Sequence, residues 1–294
     1  MVTGRMAIMV LLVRFGELAL KSRFVRRQLR DRLIANIQDL FAAESVECIT
    51  EADEARVYVH VNDLETSLAI LRRVFGVVSV SPATEVHADL DSLRKAVLLE
   101  ASESMSAGQS FALRPRRVGT HPFTSQDLAR ELGEDIRRAR PNVRVNLKDP
   151  DVAIHIEVRH NRAFVFREIL RGPGGLPLGS QGRALAVVQD DAGMVAAWMG
   201  MKRGCRIAVA APDGERLVEP LRRWDVRLKV LGLPSDGDVR ELVRIARAQA
   251  VFLGTTWSGF DPTKRLRLDI PTFEPVIGLA EEEIARVAAR IRAA

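Results

Sequence analysis

The chain has 294 residues, of which 47% are hydrophobic and 28% are charged, and its formal net charge is +6. This length and composition predict a globular protein of about two or three domains, and no apolar run approaches the roughly 18 residues of a membrane span. We therefore expect a cytoplasmic protein without a membrane partner. Arginine greatly outnumbers lysine, which favours an anionic partner because the planar guanidinium group pairs well with phosphate.

Residues 1–76 alternate strand and helix patterns in the order of a small ferredoxin-like α/β sandwich. Apolar residues at three- and four-residue spacing predict the first amphipathic helix: Val25, Leu29, Leu33, Ile37 and Leu40. The remaining surface of that helix is basic, with six basic residues against one acid, Asp31, in residues 21–32. The candidate contacts to an anionic partner are Lys21, Arg23, Arg26, Arg27 and Arg30.

Residues 77–172 predict a second α/β domain. In its strand SFALRPRR, alternation sends Phe111 and Leu113 to one face and Arg114 and Arg116 to the other. Pro115 has no N–H to donate to a neighbouring strand, so this strand is expected at an edge of its sheet or leaving it.

A helix is expected to follow, with Thr124 or Ser125 as its N-cap and an end before Pro141. The run VRVNLK then predicts a strand whose apolar and polar residues lie on opposite faces: Val143, Val145 and Leu147 against Arg144, Asn146 and Lys148. Two more strands are predicted on either side of a turn at His160 and Asn161. His155 and His160 are interpreted as structural or turn residues.

Residues 173–183 are rich in glycine and proline and predict a linker. Residues 184–294 alternate strand and helix again, which indicates a parallel sheet with crossover helices. The first strand and helix of this segment are joined by a loop where a nucleotide-binding domain would normally be glycine-rich. Its candidate residues are Gln189, Asp190, Asp191 and Gly193. The two aspartates are expected to cap the helix and repel a triphosphate; binding of magnesium is the alternative.

Four stretches together resemble the 4-thiouridine synthetases, or tRNA sulfurtransferases. They are RFGELALKS, FALRPRRVGTHPFTSQDLAREL with VRVNLKDPDVAIHIEV, GPGGLPLG, and FEPVIGLAEEEIARVA. The resemblance implies an α/β fold of three domains: ferredoxin-like (1–76), THUMP (77–172) and, after the linker 173–183, a truncated Rossmann-like parallel α/β domain of the PP-loop ATPase type (184–294). Members of the family tend to dimerise, which leaves a homodimer open here.

The resemblance breaks at the family's catalytic motifs. The family's PP-loop reads S-G-G-x-D-S, whereas the loop here has lost the glycine pair, and the segment from 210 to 247 is shorter than in the family. GTTWSGFDPTK keeps little beyond Gly254 of the segment expected in its place. Cys48 and Cys205 have no metal-ligand spacing and are interpreted as core residues, so neither a metal site nor a sulfur carrier is predicted. No catalytic residue is identified.

Within the THUMP match, a basic cluster lies beside a strand edge and the start of a helix. Its members are Arg114, Arg116, Arg117 and His121, with Lys148 near the exit of the next strand. Clustered mobile cations suffice for phosphate recognition, so this cluster predicts RNA binding without an aromatic reader. At 5% of residues, aromatics are too few to favour a stacking platform.

The first hypothesis is a tRNA-binding protein that is not an enzyme and holds no cofactor, gripping the acceptor stem and 3′ end. The alternative is an active tRNA sulfurtransferase, in 4-thiouridine or thiamine sulfur transfer, whose site for ATP and magnesium is unconventional or completed by a sulfur-donor or adenylating protein. A third hypothesis is a small-molecule or thiamine-pathway binding protein.

Overall fold

A computed structural model describes residues 9–16, 22–212, 217–264 and 266–294. Lys21, one of the predicted anion contacts, lies outside the described residues. The fourteen strands are β1 (Met9–Phe15), β2 (Cys48–Ala52), β3 (Val57–Val61), β4 (Val77–His87), β5 (Ser110–Val118), β6 (Arg144–Val145), β7 (Val152–Arg159), β8 (Arg162–Phe166), β9 (Leu170–Arg171), β10 (Arg183–Val187), β11 (Arg206–Ala211), β12 (Lys229–Gly232), β13 (Val251–Phe252) and β14 (Thr272–Phe273), counting only the part of the chain just given.

Over the same residues the helices are α1 (Arg23–Ala43), α2 (Leu64–Leu71), α3 (Leu90–Ser104), α4 (Ser125–Ala139), α5 (Asp191–Lys202), α6 (Glu219–Arg222), α7 (Arg240–Ala246) and α8 (Glu281–Ala293). Of these, none is both long and apolar enough to cross a membrane.

The chain divides into two compact units. The first unit contains the chain up to Leu12, Tyr58–Leu64 and Ser81–Leu170. The second unit contains Val13–Val57, Glu65–Val80 and Arg171–Ala294. The units do not coincide with the domain bounds expected from the sequence, which remain a prediction.

The N-terminal elements follow the order β1-α1-β2-β3-α2-β4, and their strands are hydrogen-bonded in the order β2-β3-β1-β4. This is the ferredoxin-like arrangement that the sequence predicts. Helix α1 begins after Ser22, whose Oγ accepts from the N–H of Val25 at 3.4 Å. Four of its five predicted apolar positions are fully buried and Val25 is half-buried, so the amphipathic stripe is confirmed.

Helix α1 also packs on the linker inside the second unit. The side-chain amide of Asn36, itself buried, donates to the carbonyl oxygen of Leu178 at 3.1 Å. A buried amide without such a partner would cost stability, so this hydrogen bond fixes the linker on the helix.

Most of strand β5 lies at an edge of its sheet. It pairs in parallel with β7 from Phe111 to Val118, whereas the short outer strand β6 pairs only with Ser110 and Phe111. Beyond Phe111 its outer side has no strand partner among the described residues, which confirms the edge expected from Pro115. Phe111 and Leu113 join the core under α3 and α4, and alternation therefore turns Arg114 and Arg116 to the opposite face.

The strand predicted for VRVNLK is wrong beyond its third residue, Val145. Strand β6 ends at Val145, and the side chains of Val145 and Leu147 are 49% and 65% exposed instead of sharing a buried face with Val143. The chain turns here because Asn146 Oδ1 accepts from the N–H groups of Lys148 and Asp149, at 3.2 and 3.1 Å. An asparagine turn of this kind competes with the strand hydrogen bonds that alternation presupposes.

Thr124, and not Ser125, is the N-cap of α4. The Thr124 Oγ1 accepts from the N–H of Asp127 at 3.1 Å, and the Thr124 N–H donates to Asp127 Oδ2 at 2.9 Å. These reciprocal bonds form a capping box. The hydrogen bonds from Thr124 hold the pKa of Asp127 below its ordinary value.

Replacing Thr124 by alanine is expected to lower the free energy of unfolding by about 1 kcal/mol near neutral pH. Because the pKa of Asp127 is lower in the folded protein, its contribution is complete above the ordinary aspartate pKa and is lost as pH falls through the lowered one. The difference from wild type should thus shrink below about pH 4. Urea unfolding near neutral pH and below about pH 4 measures this difference in the free energy of unfolding, with Ser125→Ala as the control. An equal loss of stability in Ser125→Ala would contradict the assignment of Thr124 as the cap.

The last domain is an all-parallel five-stranded sheet in the order β12-β11-β10-β13-β14. The first strand in sequence, β10, lies in the middle, and the direction of winding reverses between β10 and β13. This is the Rossmann-like order, and it confirms the predicted parallel α/β domain. In such sheets ligands bind outside the carboxyl ends of the strands at the reversal point, which here lies between the loops after β10 and β13.

Candidate nucleic-acid interface and nucleotide loop

A depression of about 170 Å³ at the start of α1 is lined by Glu54 and by four of the predicted anion contacts: Arg23, Arg26, Arg27 and Arg30. Arg30 is held in place, since its Nη2 lies 3.0 Å from Asp31 Oδ1. Arg27 is 78% exposed, and its Nε lies 3.7 Å from the same carboxylate. Over the described ranges, Arg23 and Arg26 have no ion-pair partner. The depression therefore carries more positive than negative charge.

Helix stability does not explain these arginines. The first turn of α1 contains no acidic residue, although the amino end of a helix favours negative charge. Each cation there costs roughly 0.3–1 kcal/mol, whereas a bound anion would reverse the sign. Phe24 lies in the same turn and is 69% exposed. The sequence analysis did not predict Phe24 as part of this surface, because it considered only the low total number of aromatic residues. The signal was present, since Phe24 lies outside the apolar stripe of α1 and is therefore expected to face solvent.

The cluster predicted on β5 separates into two groups. Arg114 donates through Nη2 to the carbonyl oxygen of Leu147, which brings the neighbouring Lys148 to the open edge of the strand. Arg116 is exposed on the same face as Arg114. These three cations form the first group.

The second group lies where β5 meets the β7–β8 turn. Arg117 donates through Nη1 to the carbonyl oxygen of Gly119 at 2.8 Å. His121 Nε2 lies 2.6 Å from the carbonyl oxygen of His160, and its ring stacks on Phe123 at 5.4 Å. These contacts give His121 a structural role in holding the loop, and its role in RNA binding stays a prediction. Strand alternation places Arg117 on the face opposite Arg116.

The two aspartates of the nucleotide loop are both engaged. Asp190 is the N-cap of α5, and its Oδ1 accepts from the N–H of Gly193 at 2.8 Å. Asp191 forms a two-point ion pair with Arg292 of α8, which raises the pKa of that guanidinium. Gln189 is exposed. The cap is as expected from the sequence, whereas the partner of Asp191 lies 101 residues away and could not be read from it.

The loop after β13 covers the start of α5. An added Cβ on Gly254 would collide with the amide nitrogen of Gly193 and the carbonyl carbon of Ala192. A Cβ on Gly193 would in turn lie 2.6 Å from the carbonyl oxygen of Val187. At the start of α5, the N–H of Gly193 is thus capped by Asp190, and the backbone at Gly254 lies directly against it.

Replacing Gly254 by alanine is expected to destabilise the protein by about 1–3 kcal/mol, because backbone atoms, and not a flexible side chain, occupy the space of the new methyl group. Thermal unfolding with Gly278→Ala as control measures this, since nothing lies near an added Cβ at Gly278. An unchanged melting temperature for Gly254→Ala would show that the two loops are further apart.

Both cysteines are half-buried, Cys205 packs against the core of the last domain, and burial raises the pKa of each thiol. A raised pKa lowers the thiolate fraction, and thiolate is the nucleophile in sulfur chemistry. Within the described ranges, no group of three or more histidine, cysteine or acidic side chains could hold a metal ion.

Two family models match this chain. The ThiI ferredoxin-like domain matches residues 10–81, and the THUMP domain matches residues 87–168. The chain is therefore a THUMP-domain protein with a ferredoxin-like domain before the THUMP domain. More particularly, it is a homologue of the tRNA sulfurtransferases: it is 34% identical over 230 residues to the probable tRNA sulfurtransferase of Methanothermobacter thermautotrophicus, covering 74% of this chain and 58% of that protein.

The chain spans about half the length of the first curated relatives it matches, between 49% and 58%. The crystal structure of PH1313 from Pyrococcus horikoshii Ot3 has a TM-score of 0.83 at 28% identity and covers 97% of this chain and 99% of that chain. A 4-thiouridine synthetase crystallised with RNA and bound ATP has a TM-score of 0.78 at 20% identity, covering 97% and 85%. The predicted three-part α/β fold is confirmed.

Proposed function

We propose that this chain is a tRNA-binding protein that grips the acceptor stem and 3′ end. The guanidinium groups of Arg23, Arg26 and Arg27 near the start of α1 carry this proposal, because cations at that end of a helix cost stability unless an anion is bound. The THUMP domain and the RNA bound to the 4-thiouridine synthetase of similar fold support it. A tRNA partner also favours a cytoplasmic location.

Filter binding of unmodified tRNA over a series from about 50 to 200 mM salt tests the proposal. Phosphate contacts release counterions, so the logarithm of affinity should fall steeply and linearly with the logarithm of salt concentration. A DNA hairpin of equal length is the control and should bind more weakly, because the 2′-hydroxyl groups and the A-form shape are absent. Equal affinity for both, or an affinity independent of salt, would refute a tRNA-specific grip.

We further propose that the loop after β10 has lost ATP binding, and with it the adenylation of tRNA. The Asp190 cap, the ion pair between Asp191 and Arg292, and the approach of Gly254 to Gly193 support this. A triphosphate would have to displace the cap and would meet two carboxylates. The chain would then bind tRNA with neither ATP nor magnesium, and its last domain would serve as a scaffold or partner surface.

The alternative is an active tRNA sulfurtransferase whose ATP site is completed by a partner chain, and the names of the curated relatives favour it. Release of pyrophosphate from ATP with tRNA present separates the two. Release that disappears in Asp190→Ala would establish the loop as a nucleotide site. A rate of pyrophosphate release equal to that of a protein-free blank supports the proposal that the loop after β10 has lost ATP binding.

A further inference from the structure

A second basic cavity lies within the second unit and shares no lining residue with the depression on α1. Its volume is about 320 Å³. The residues that define it come from the turn after α2, the end of β9, the turn after α6, and the end of α8: Arg72, Arg73, Arg171, Trp224, Arg290 and Ala294. No carboxylate side chain among the described residues lines it. Four arginines thus converge on one cavity from sequence positions more than 200 residues apart.

Among the described residues, Arg73 alone of these four arginines has an acidic partner. Arg73 is buried, and its Nη2 lies 2.7 Å from Glu44 Oε1 while Nη1 donates to the carbonyl oxygen of Arg223 at 3.3 Å. Arg72, Arg171 and Arg290 are exposed and have no ion pair in the described part of the chain. Three uncompensated guanidinium groups therefore share a cavity with a fourth that is fixed.

The surroundings of Arg290 are also positive. Its guanidinium lies 5.8 Å from the ring centre of Trp198, and the ammonium of Lys202 lies 5.2 Å from the same ring. Burial, and then the charge of Arg290, lower the pKa of Lys202.

We propose that this cavity binds a phosphoryl anion. The planar guanidinium group of arginine can donate two parallel hydrogen bonds to the oxygens of one phosphate. Three such groups without an acidic partner around one cavity therefore form a set of donors suited to a phosphoryl anion. A volume of about 320 Å³ lies at the small end of ligand pockets and suits a pyrophosphate-sized group. The indole of Trp224 and the methyl groups of Ala69 and Ala293 complete the wall. The phosphoryl group comes from a free phosphate compound or from an RNA phosphate.

The double variant Arg72→Ala/Arg290→Ala of the full chain tests this site, and Arg171→Ala is an independent single variant. Both remove exposed side chains and leave the buried pair of Arg73 with Glu44 intact. The control Arg183→Ala/Arg267→Ala removes the same charge from exposed arginines outside the cavity. Isothermal titration with inorganic pyrophosphate and filter binding with 5′-phosphorylated tRNA are the two probes.

We expect the double variant to weaken binding of at least one probe by about tenfold or more relative to the control, as loss of charge-assisted contacts predicts. Loss of pyrophosphate binding assigns the site to a free phosphate compound, and loss confined to tRNA assigns it to an RNA phosphate. If neither probe distinguishes the double variant from the control, the proposal is wrong. If wild type binds pyrophosphate but not tRNA, the proposed function fails and this site stands.

Discussion

The triple variant Arg23→Ala/Arg26→Ala/Arg27→Ala is expected to bind tRNA about 10- to 100-fold more weakly than wild type at about 0.1 M salt. Each lost phosphate contact should reduce the salt slope by roughly 0.7 to 0.9, so three contacts flatten it by about two to three units. The free energy of unfolding should not fall, because these cations oppose the partial positive charge at the start of α1. Weakened binding without lost stability is the signature of a functional cluster.

Its matched control is Arg240→Ala/Arg244→Ala/Arg286→Ala, which removes the same net charge. Each of these exposed arginines pairs with a nearby acid, namely Asp238, Glu241 or Glu283. Filter binding should give this control nearly the affinity of wild type. Equal weakening in both triple variants would mean that net charge, and not the cluster on α1, determines binding.

Arg206→Ala is expected to lower the free energy of unfolding by about 3 kcal/mol or more. Arg206 Nη1 lies 2.7 Å from Asp225 Oδ1, and Asp225 is only 2% exposed. Removing the arginine leaves a carboxylate buried without its partner, and such losses cost roughly 3–5 kcal/mol. In Arg206→Ala, Asp225 Oδ1 would keep only the N–H of Arg227, at 3.0 Å, and the second oxygen is buried without a hydrogen bond in the structure.

Arg240→Ala is the control for this prediction, because its pair with Asp238 is exposed and is worth at most about 1 kcal/mol. Urea unfolding of both variants and of wild type provides the comparison. A loss of below about 1 kcal/mol in Arg206→Ala would show that water reaches Asp225 and that the ion pair is not a buried one.

Local periodicity and turn chemistry predicted much of the fold. The stripe of α1 follows from spacing alone, and a hydroxyl residue before a helical pattern narrowed the cap of α4 to Thr124 or Ser125, of which the structure assigns Thr124. The edge at β5 follows from the missing N–H of Pro115. Each of these signals lies within a few residues of the feature that it specifies. The same reasoning failed at Leu147, where the side chain of Asn146 ends the strand.

The parts of the site that escaped prediction depend on contacts between distant residues. Arg292 reaches Asp191 only because α8 packs beside α5, and Gly254 meets Gly193 only because β13 pairs with β10. The cavity between Arg72, Arg171 and Arg290 has the same origin. A single sequence records each of these residues as an ordinary charge or turn, since no local pattern carries their partners.

We propose that this chain retains tRNA binding while the loop after β10 no longer binds ATP. Titration of labelled tRNA with the wild-type chain, in the presence and absence of ATP and magnesium, tests both halves in one measurement. We expect tight binding that weakens steeply with salt, with the same dissociation constant for tRNA whether or not ATP and magnesium are present. Failure to bind tRNA would contradict this proposal. So would a dissociation constant for tRNA that changes when ATP is added to wild type but stays unchanged when ATP is added to Asp190→Ala.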